Sequence, residues 1–245
     1  KWCLLLSNYD EITQKFIKVV AYLLDKDENK TLKVKLEKEC PFLKIVNFNF
    51  EKYPFFVRNQ DEQRWKPLIL AQVLTENRAA LWFNPGIIFR KNKETFKDLL
   101  KSMESYYYTC GFRVFSTTNK SLSSSIHPQM KKHFLIDKSI LELNMISSAS
   151  FLVVRSLPSL TVLEDMVRCS LTRSCMESSN LKEVNSSQII SSKNYLRNDD
   201  SLLSLTLAQC STSLGNYLGP SESIVIDEEK EYDWKKLKRQ FPVID

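Results

Sequence analysis

The alternation of apolar and polar positions predicts strands separated by helices in the first half of the chain. Lys18 to Leu24 is a β-branched and aromatic run typical of a buried strand, and Ala79 to Phe83 reads as another strand. Lys44 to Phe50 alternates apolar and polar residues, as a strand with one buried face does. Thr31 to Cys40 is rich in helix formers, and Lys66 to Asn77 has apolar residues at helical spacing. This order predicts βαβ units and a mostly parallel sheet.

The second half of the chain has a less regular pattern. Ser116 to Ser125 is a low-complexity run that predicts a flexible loop. Leu141 to Arg155 fits a helix that leads into a strand. Helices are predicted over three further segments, which are Lys93 to Tyr106, Leu160 to Cys175 and Leu202 to Cys210. No internal repeat occurs, and residues 1–245 are expected to form a single domain.

Composition narrows the possible functions. The chain carries 35 Lys and Arg against 29 Asp and Glu, a net charge of +6, and these charges are interspersed. A nucleic-acid-binding protein usually concentrates its basic residues on one face, so no nucleic-acid partner is expected. The charge fits a pocket for an anionic nucleotide or a sulfated glycan equally well. With only four glycines there is no glycine-rich phosphate loop, which excludes the classical nucleotide-binding motifs.

The cysteines fit disulfides in an oxidising compartment, although buried free thiols would give the same even count of six. No C-x-x-C pair occurs, and the two histidines lie far from the cysteines, so a structural zinc site is not expected. Three N-x-S/T sequons, at Asn29, Asn119 and Asn185, permit a glycoprotein. No apolar run approaches the roughly 18 residues of a membrane span, and none is predicted within this chain.

Several short motifs follow one another in an order that resembles a known group of proteins. They are Phe48 to Phe56 (FNFEKYPFF), Trp65 to Ile69 (WKPLI), Ala80 to Gly86 (ALWFNPG), His127 to Met130 (HPQM), Cys169 to Met176 (CSLTRSCM) and Leu196 to Ser201 (LRNDDS). Together they resemble a metazoan, nematode-rich family of poorly characterised secretory proteins related to GT-A glycosyltransferases. The resemblance covers roughly residues 16 to 210.

The resemblance implies a GT-A-like, Rossmann-like fold with a mostly parallel twisted sheet flanked by helices. The strand ending at Phe83 would deliver the next residues to the donor site. In active relatives a D-x-D motif there holds Mn²⁺ or Mg²⁺ against the donor diphosphate, because the metal neutralises the leaving group. Here Asn84-Pro85-Gly86 replaces that motif, so no metal ligand is assigned, and Mn²⁺ or Mg²⁺ is expected only if the protein is active. The alternative is that this tripeptide is simply a turn.

The resemblance also implies the candidate site residues. Asp199 and Asp200 are the candidate catalytic carboxylates, since one of them can act as base toward an acceptor hydroxyl. The candidate donor-binding residues are Trp65, Lys66, Asn84, Gly86, Arg197 and Ser201. An alternative for the acidic cluster is an ordinary helix N-cap. An alternative for Trp65 and Lys66 is a buried aromatic anchor beside a solvated lysine.

The function expected from the resemblance is that of a glycosyltransferase-like protein of the secretory lumen, in the Golgi or secreted. If active, it would transfer a sugar from a nucleotide-sugar to a glycan or protein acceptor; otherwise it would be a pseudoenzyme. The alternative is a non-catalytic module that binds a glycan or a protein on the same fold. The resemblance further implies that Cys169 and Cys175 bridge locally or to a third cysteine, for which Cys210 is the nearest later candidate.

Overall fold

The structure is a computed structural model that describes residues 18–24, 33–34, 36–38, 40–84, 88–89, 96–104, 108–134, 136–177, 198–219 and 225–226. The strands are β1 (Val19–Leu23), β2 (Leu43–Asn47), β3 (Ala79–Phe83), β4 (Ile88–Phe89), β5 (Phe112–Val114), β6 (Thr117–Ser121), β7 (Asn144–Ile146), β8 (Ser150–Val154) and β9 (Val225–Ile226). The α-helices are α1 (Trp65–Glu76), α2 (Phe96–Met103), α3 (Leu122–Ser125), α4 (Pro128–His133), α5 (Lys138–Leu141), α6 (Leu157–Leu171), α7 (Arg173–Met176) and α8 (Asn198–Cys210). Short 3₁₀ helices occupy Phe50–Lys52, Phe55–Arg58, Gln60–Glu62 and Leu214–Asn216.

The chain has the expected mixture of α and β structure, but its described strands pair mainly antiparallel. β1 and β2 form a parallel pair. β8 lies between β3 and β5 and runs antiparallel to both, and β4–β9 and β6–β7 are antiparallel pairs. A mostly parallel sheet was expected. Among the described pairs of named strands, only β1–β2 is parallel. β7 and β8 are joined by a short turn but pair with different strands, so the direction of β8 is set by its contacts with β3 and β5 and not by this connection.

The central strand β8 is covered on both faces. Phe151 and Val153 belong to the main core, which also contains residues of α1, α6 and α8. Leu152 points to the other face and packs with Leu99 of α2 and with Phe115. Because successive side chains of a strand alternate between its faces, a strand buried on both reads as a continuous apolar run. Phe151 to Val153 form such an apolar run because β8 is buried on both faces.

The helices predicted from apolar spacing are present with small shifts at their ends. α1, α2 and α8 correspond to predicted helices, and residues 33–34 and 36–38 are helical within the segment predicted over Thr31 to Cys40. The helix predicted over Leu160 to Cys175 begins earlier, at Leu157, because Ser156 forms a capping box with Ser159. It is also divided into α6 and α7.

Two segments of the second half differ from their predictions. The run predicted as a flexible loop, Ser116 to Ser125, contains strand β6 and helix α3. β6 pairs with β7, so the backbone groups of a polar segment gain partners that its composition did not reveal. Leu122 is buried at the start of α3. Leu141 to Arg155 contains the end of α5 followed by β7 and β8, so two strands replace the predicted helix that leads into one strand.

The described disulfides include one that joins distant parts of the chain and one that is local. Cys110 bonds to Cys210, 100 residues later, and Cys169 bonds to Cys175. Cys40 is disulfide-bonded as well. The local bridge is therefore confirmed as one of the two expected alternatives. Such bonds form and persist in oxidising compartments, which favours an extracellular or lumenal location. Within the described ranges, no helix is both long and apolar enough to span a membrane.

Candidate functional site

The start of α8 places two carboxylates inside the protein. Because α8 begins at Asn198, Asp199 and Asp200 lie in its first turn, where the helix dipole favours negative charge. Both side chains are nearly inaccessible, with 3% of Asp199 and 1% of Asp200 exposed. Burial of a charged carboxylate is costly unless partners compensate for the lost water. The neighbouring residues of α1 and of the β7–β8 turn provide those partners.

Lys66, in the first turn of α1, is the cationic partner of this pair. Its Nζ donates to Asp199 Oδ2 at 2.6 Å, to Ser148 Oγ at 3.0 Å and to the Ser148 carbonyl at 3.1 Å. An ammonium group has three donor hydrogens, and these three acceptors account for all of them. Lys66 is only 1% exposed, so the alternative of a solvated lysine at this position is wrong.

Ser148, in the turn between β7 and β8, links the two carboxylates. Its hydroxyl oxygen lies 2.5 Å from Asp199 Oδ2 and 2.6 Å from Asp200 Oδ1. Its backbone N–H also donates to Asp200 Oδ1, at 2.7 Å. A hydroxyl has only one hydrogen to donate, so both short O···O contacts are hydrogen bonds only when one carboxyl group carries a proton. The geometry therefore fits one proton held by the carboxylate pair.

The surroundings of Asp200 favour its neutral form. Burial is the largest cause that raises the pKa of Asp200 above its usual 3.8, and the negative charge of Asp199 raises it further. The two hydrogen bonds from Ser148 and the charge of Lys66 act in the opposite direction. Asp200 Oδ2 is buried and has no hydrogen-bond partner among the described residues. A carboxyl group with a raised pKa is suited to accept or release a proton nearer neutral pH.

The carboxyl end of β3 adjoins this cluster. The backbone N–H of Asn84 donates to the carbonyl of Ala149 at 2.8 Å, one residue beyond Ser148. Trp82 Nε1 donates to Asn84 Oδ1 at 2.9 Å, and Lys66 Nζ lies 5.5 Å from the centre of a Trp82 ring, within cation–π range. The Trp82 indole thus contacts both Asn84 and Lys66, which come from two different motifs of the sequence analysis.

The remaining predicted site residues have different positions. Trp65 lies against Trp82, with ring centres 6.1 Å apart, and its Nε1 is buried without a partner in the described part of the chain. Ser201 is 1% exposed and donates to the Ser125 carbonyl, away from the carboxylate cluster. Gly86 and Arg197 lie outside the described residues.

The plain N-cap interpretation does not describe Asp200. Its Oδ1 accepts a hydrogen bond from the backbone N–H of Ser148, in the turn between β7 and β8, and α8 has already begun two residues earlier, at Asn198. Sequence reasoning does not find Ser148. The residue falls in a segment whose pattern predicts a helix, and a serine beside other serines carries no signal for a bridging role.

Two further features lie apart from the carboxylate cluster. His127, part of the HPQM motif, is the N-cap of α4, where its side chain accepts from the Gln129 N–H, and burial lowers its pKa.

A separate cleft of about 240 Å³ is lined by His133, Phe134, Asp165, Arg168, Cys169, Thr172 and Gln209. It contains none of the predicted site residues. Its volume is below the range of roughly 300–1,000 Å³ typical of sites for larger ligands.

Comparison with known proteins gives one partial match. A family model described as "Protein of unknown function (DUF1647)" matches residues 6–71. The match includes Trp65 and Lys66 but ends before β3, so it leaves out Asn84 and the carboxylates of α8. It covers 66 of the 245 residues, too small a share to assign the chain to that family. No curated protein and no solved structure matches the chain.

Proposed function

We propose that this chain is a glycosyltransferase-like protein with a GT-A-like fold, which binds a nucleotide-sugar at the carboxyl end of β3. The observation that carries the proposal is the Lys66–Asp199 contact, 2.6 Å long between residues 133 positions apart. Lys66, Asn84 and the acidic pair come from three separate motifs of the resemblance, and contacts through Trp82 and the β7–β8 turn connect them. If the three motifs were only unrelated local turns or caps, their residues would have no reason to lie close together.

In the proposed reaction, an acceptor hydroxyl attacks the anomeric carbon of the donor sugar. The bond from that carbon to the diphosphate oxygen breaks, and the nucleoside diphosphate leaves with the bonding electrons. The hydroxyl proton passes to a carboxylate. Asp200 in its ionised form is the candidate base, and because burial raises its pKa, that form binds a proton more strongly than an exposed carboxylate does. Asp199 and Lys66 hold the charges around it, and Ser148 fixes its orientation.

Calorimetry with a panel of nucleoside diphosphates tests this proposal. We expect one or more of them to bind wild-type protein, and we expect Asp200→Asn to abolish binding of the matching nucleotide-sugar or its turnover. Thr206→Ser is the matched control, because Thr206 lies on the same helix and its hydroxyl donates to the carbonyls of Leu202 and Leu203 in that helix. Absence of binding by every nucleotide would reject the nucleotide-sugar function.

Burial of the acidic pair supports a second candidate, a non-catalytic module that binds a glycan or a protein. Asp199 and Asp200 are almost fully enclosed, and Lys66 neutralises one charge, which is also what a structural polar cluster requires. A glycan array probed in EDTA separates the candidates. Glycan binding in EDTA without any nucleotide affinity would favour the non-catalytic module.

The proposed location is the secretory lumen, in the Golgi, or outside the cell. Cys110–Cys210 and Cys169–Cys175 support an oxidising compartment in general. The Golgi is specifically where a lumenal sugar transferase would meet its donor and acceptor. Immunofluorescence of the full-length protein against Golgi markers tests this assignment, and a cytosolic signal would contradict it.

A further inference from the structure

The residues at the carboxyl end of β3 do not form a good site for a divalent cation. Mn²⁺ and Mg²⁺ prefer several oxygen ligands, carboxylates above all. Asp199 Oδ2 already contacts an ammonium group at 2.6 Å, and burial favours the neutral form of Asp200 by raising its pKa. Asn84 Oδ1 accepts a hydrogen bond from Trp82. Among the described residues, no group of three His, Cys, Asp or Glu side chains is placed to hold a metal ion.

We propose that Lys66 is the resident cation of this site and that ligand binding here does not depend on a divalent metal. This inference rests on the proposed function for the identity of the ligand. Lys66 is a positioning residue: its three donor hydrogens are used by Asp199 and Ser148, so it balances the charge of the carboxylate pair without touching the ligand.

Asn84 provides the second half of the proposal. An indole N–H is only a donor, so the atom that faces Trp82 must be the amide oxygen of Asn84. The Nδ2 group of Asn84 is then turned away from Trp82, and no described residue accepts a hydrogen bond from it. An amide NH₂ donates directly to an anionic oxygen, whereas an aspartate at this position would require a metal between itself and a phosphate. Asn84 is therefore the direct donor to an oxygen of the ligand diphosphate.

Binding of Mn²⁺ alone tests the role of Lys66. Wild-type protein is titrated with Mn²⁺ and the free ion is followed by electron paramagnetic resonance, with thermal unfolding in Mn²⁺ and in EDTA as a second readout. We expect no stoichiometric Mn²⁺ site and the same Tm in both solutions. Lys66→Ala opens space beside two carboxylates, so this variant should bind Mn²⁺ and its Tm should rise with the ion. Lys66→Met, which removes the charge but fills the space, is the matched control and should gain no Mn²⁺ site.

Stoichiometric Mn²⁺ binding by the wild type that Asp199→Asn abolishes would overturn the proposal. This measurement needs no variant with an altered Lys66, so it decides the question even if Lys66→Ala does not fold.

The test of Asn84 uses uridine diphosphate and guanosine diphosphate. We expect each Kd to agree within about twofold between EDTA and Mn²⁺ for the wild type. Asn84→Asp should weaken binding in EDTA, and Mn²⁺ should restore it.

The two proposals fail in different ways. If neither nucleotide binds under any condition, the nucleotide-sugar function is rejected, together with the role of Asn84 as a diphosphate donor. The Mn²⁺ titration still decides whether Lys66 is the cation of the site. If a nucleotide binds the wild type only when Mn²⁺ is present, the proposed function stands and the metal-independent site is wrong.

Discussion

At the scale of single residues, Asp200 shows how surroundings set the chemistry of a carboxyl group. It is 1% exposed, lies beside Asp199 and makes two short contacts with Ser148. Desolvation disfavours the charged form, and the neighbouring negative charge adds to that effect, so the pKa of Asp200 is raised above 3.8. The same residue on an exposed first turn would remain an ordinary ionised cap.

The raised pKa predicts how stability depends on pH. A carboxyl group whose pKa is higher in the folded than in the unfolded state binds more protons when folded. Its contribution to stability is therefore complete below 3.8 and decreases as pH rises through the folded-state pKa. Asp200→Asn is neutral at every pH and removes this dependence. We expect its free energy of unfolding relative to wild type to increase from acidic to neutral pH, as measured by urea denaturation.

Asp200→Asn also has a matched control for this experiment. Thr206→Ser changes no ionisable group and lies on the same helix. It should therefore leave the pH dependence of unfolding as in the wild type. Equal pH dependence of wild type and Asp200→Asn would show that the pKa of Asp200 is the same in the folded and unfolded states, contrary to the direction argued here.

At the scale of elements, Arg64 fixes the end of α6. The last carbonyls of a helix have no partner within the helix. Arg64 is fully buried and donates to the carbonyls of Ser170, Thr172 and Arg173, and its Nε donates to Glu62 at 2.5 Å. The sequence predicted the approximate extent of α6. It did not indicate that Arg64, just before α1, donates hydrogen bonds to the carbonyls at the end of that helix, about a hundred residues later.

Substitution of Arg64 should therefore be costly. Arg64→Met keeps most of the side-chain length but removes the group that donates to Glu62 and to three carbonyls. Breaking one side of a buried ion pair costs about 3–5 kcal/mol, and we expect a loss of free energy of unfolding on that order. The control is Arg168→Met, since Arg168 and its partner Glu164 are largely exposed and such a pair contributes about 1 kcal/mol or less. Similar losses in chemical denaturation of the two variants would contradict the capping role.

At the scale of the whole molecule, one disulfide ties the central sheet to the helix that carries the carboxylates. Cys110 lies just before β5, and Cys210 is the last residue of α8. The bond closes a long loop, whereas Cys169–Cys175 joins residues only six positions apart. In the chain-entropy description, a disulfide stabilises the fold by restricting the unfolded chain, and the effect grows with loop length.

The two disulfides should thus differ in their contribution. Replacing Cys110 and Cys210 together by serine should lower the free energy of unfolding by about 2 kcal/mol more than replacing Cys169 and Cys175 together. Guanidinium unfolding of the two double variants measures this difference. An equal loss in both would mean that the local packing around each bond, and not the length of the loop, sets its value.

The sequence alone determined which segments are helices and which are strands wherever the apolar period was strong. α1 and α2 follow from the helical spacing of their apolar residues, because a helix with one buried face repeats those positions about every 3.6 residues. β3 follows from a short apolar run. The short range of these signals is also their limit. The strand direction of β8 and the pairing of the polar strand β6 with β7 depend on partners far along the chain.

The candidate site divides along the same line. The order of the motifs is enough to indicate Lys66, Asn84, Asp199 and Asp200 as candidates. Only the tertiary structure decided that Lys66 is buried against Asp199, and that Ser148 bridges the carboxylates. Protonation and charge pairing depend on desolvation and on distances of a few ångströms between residues separated by 50 or more positions. Residue types reveal that such groups exist, but their surroundings in the folded chain decide what charge they carry.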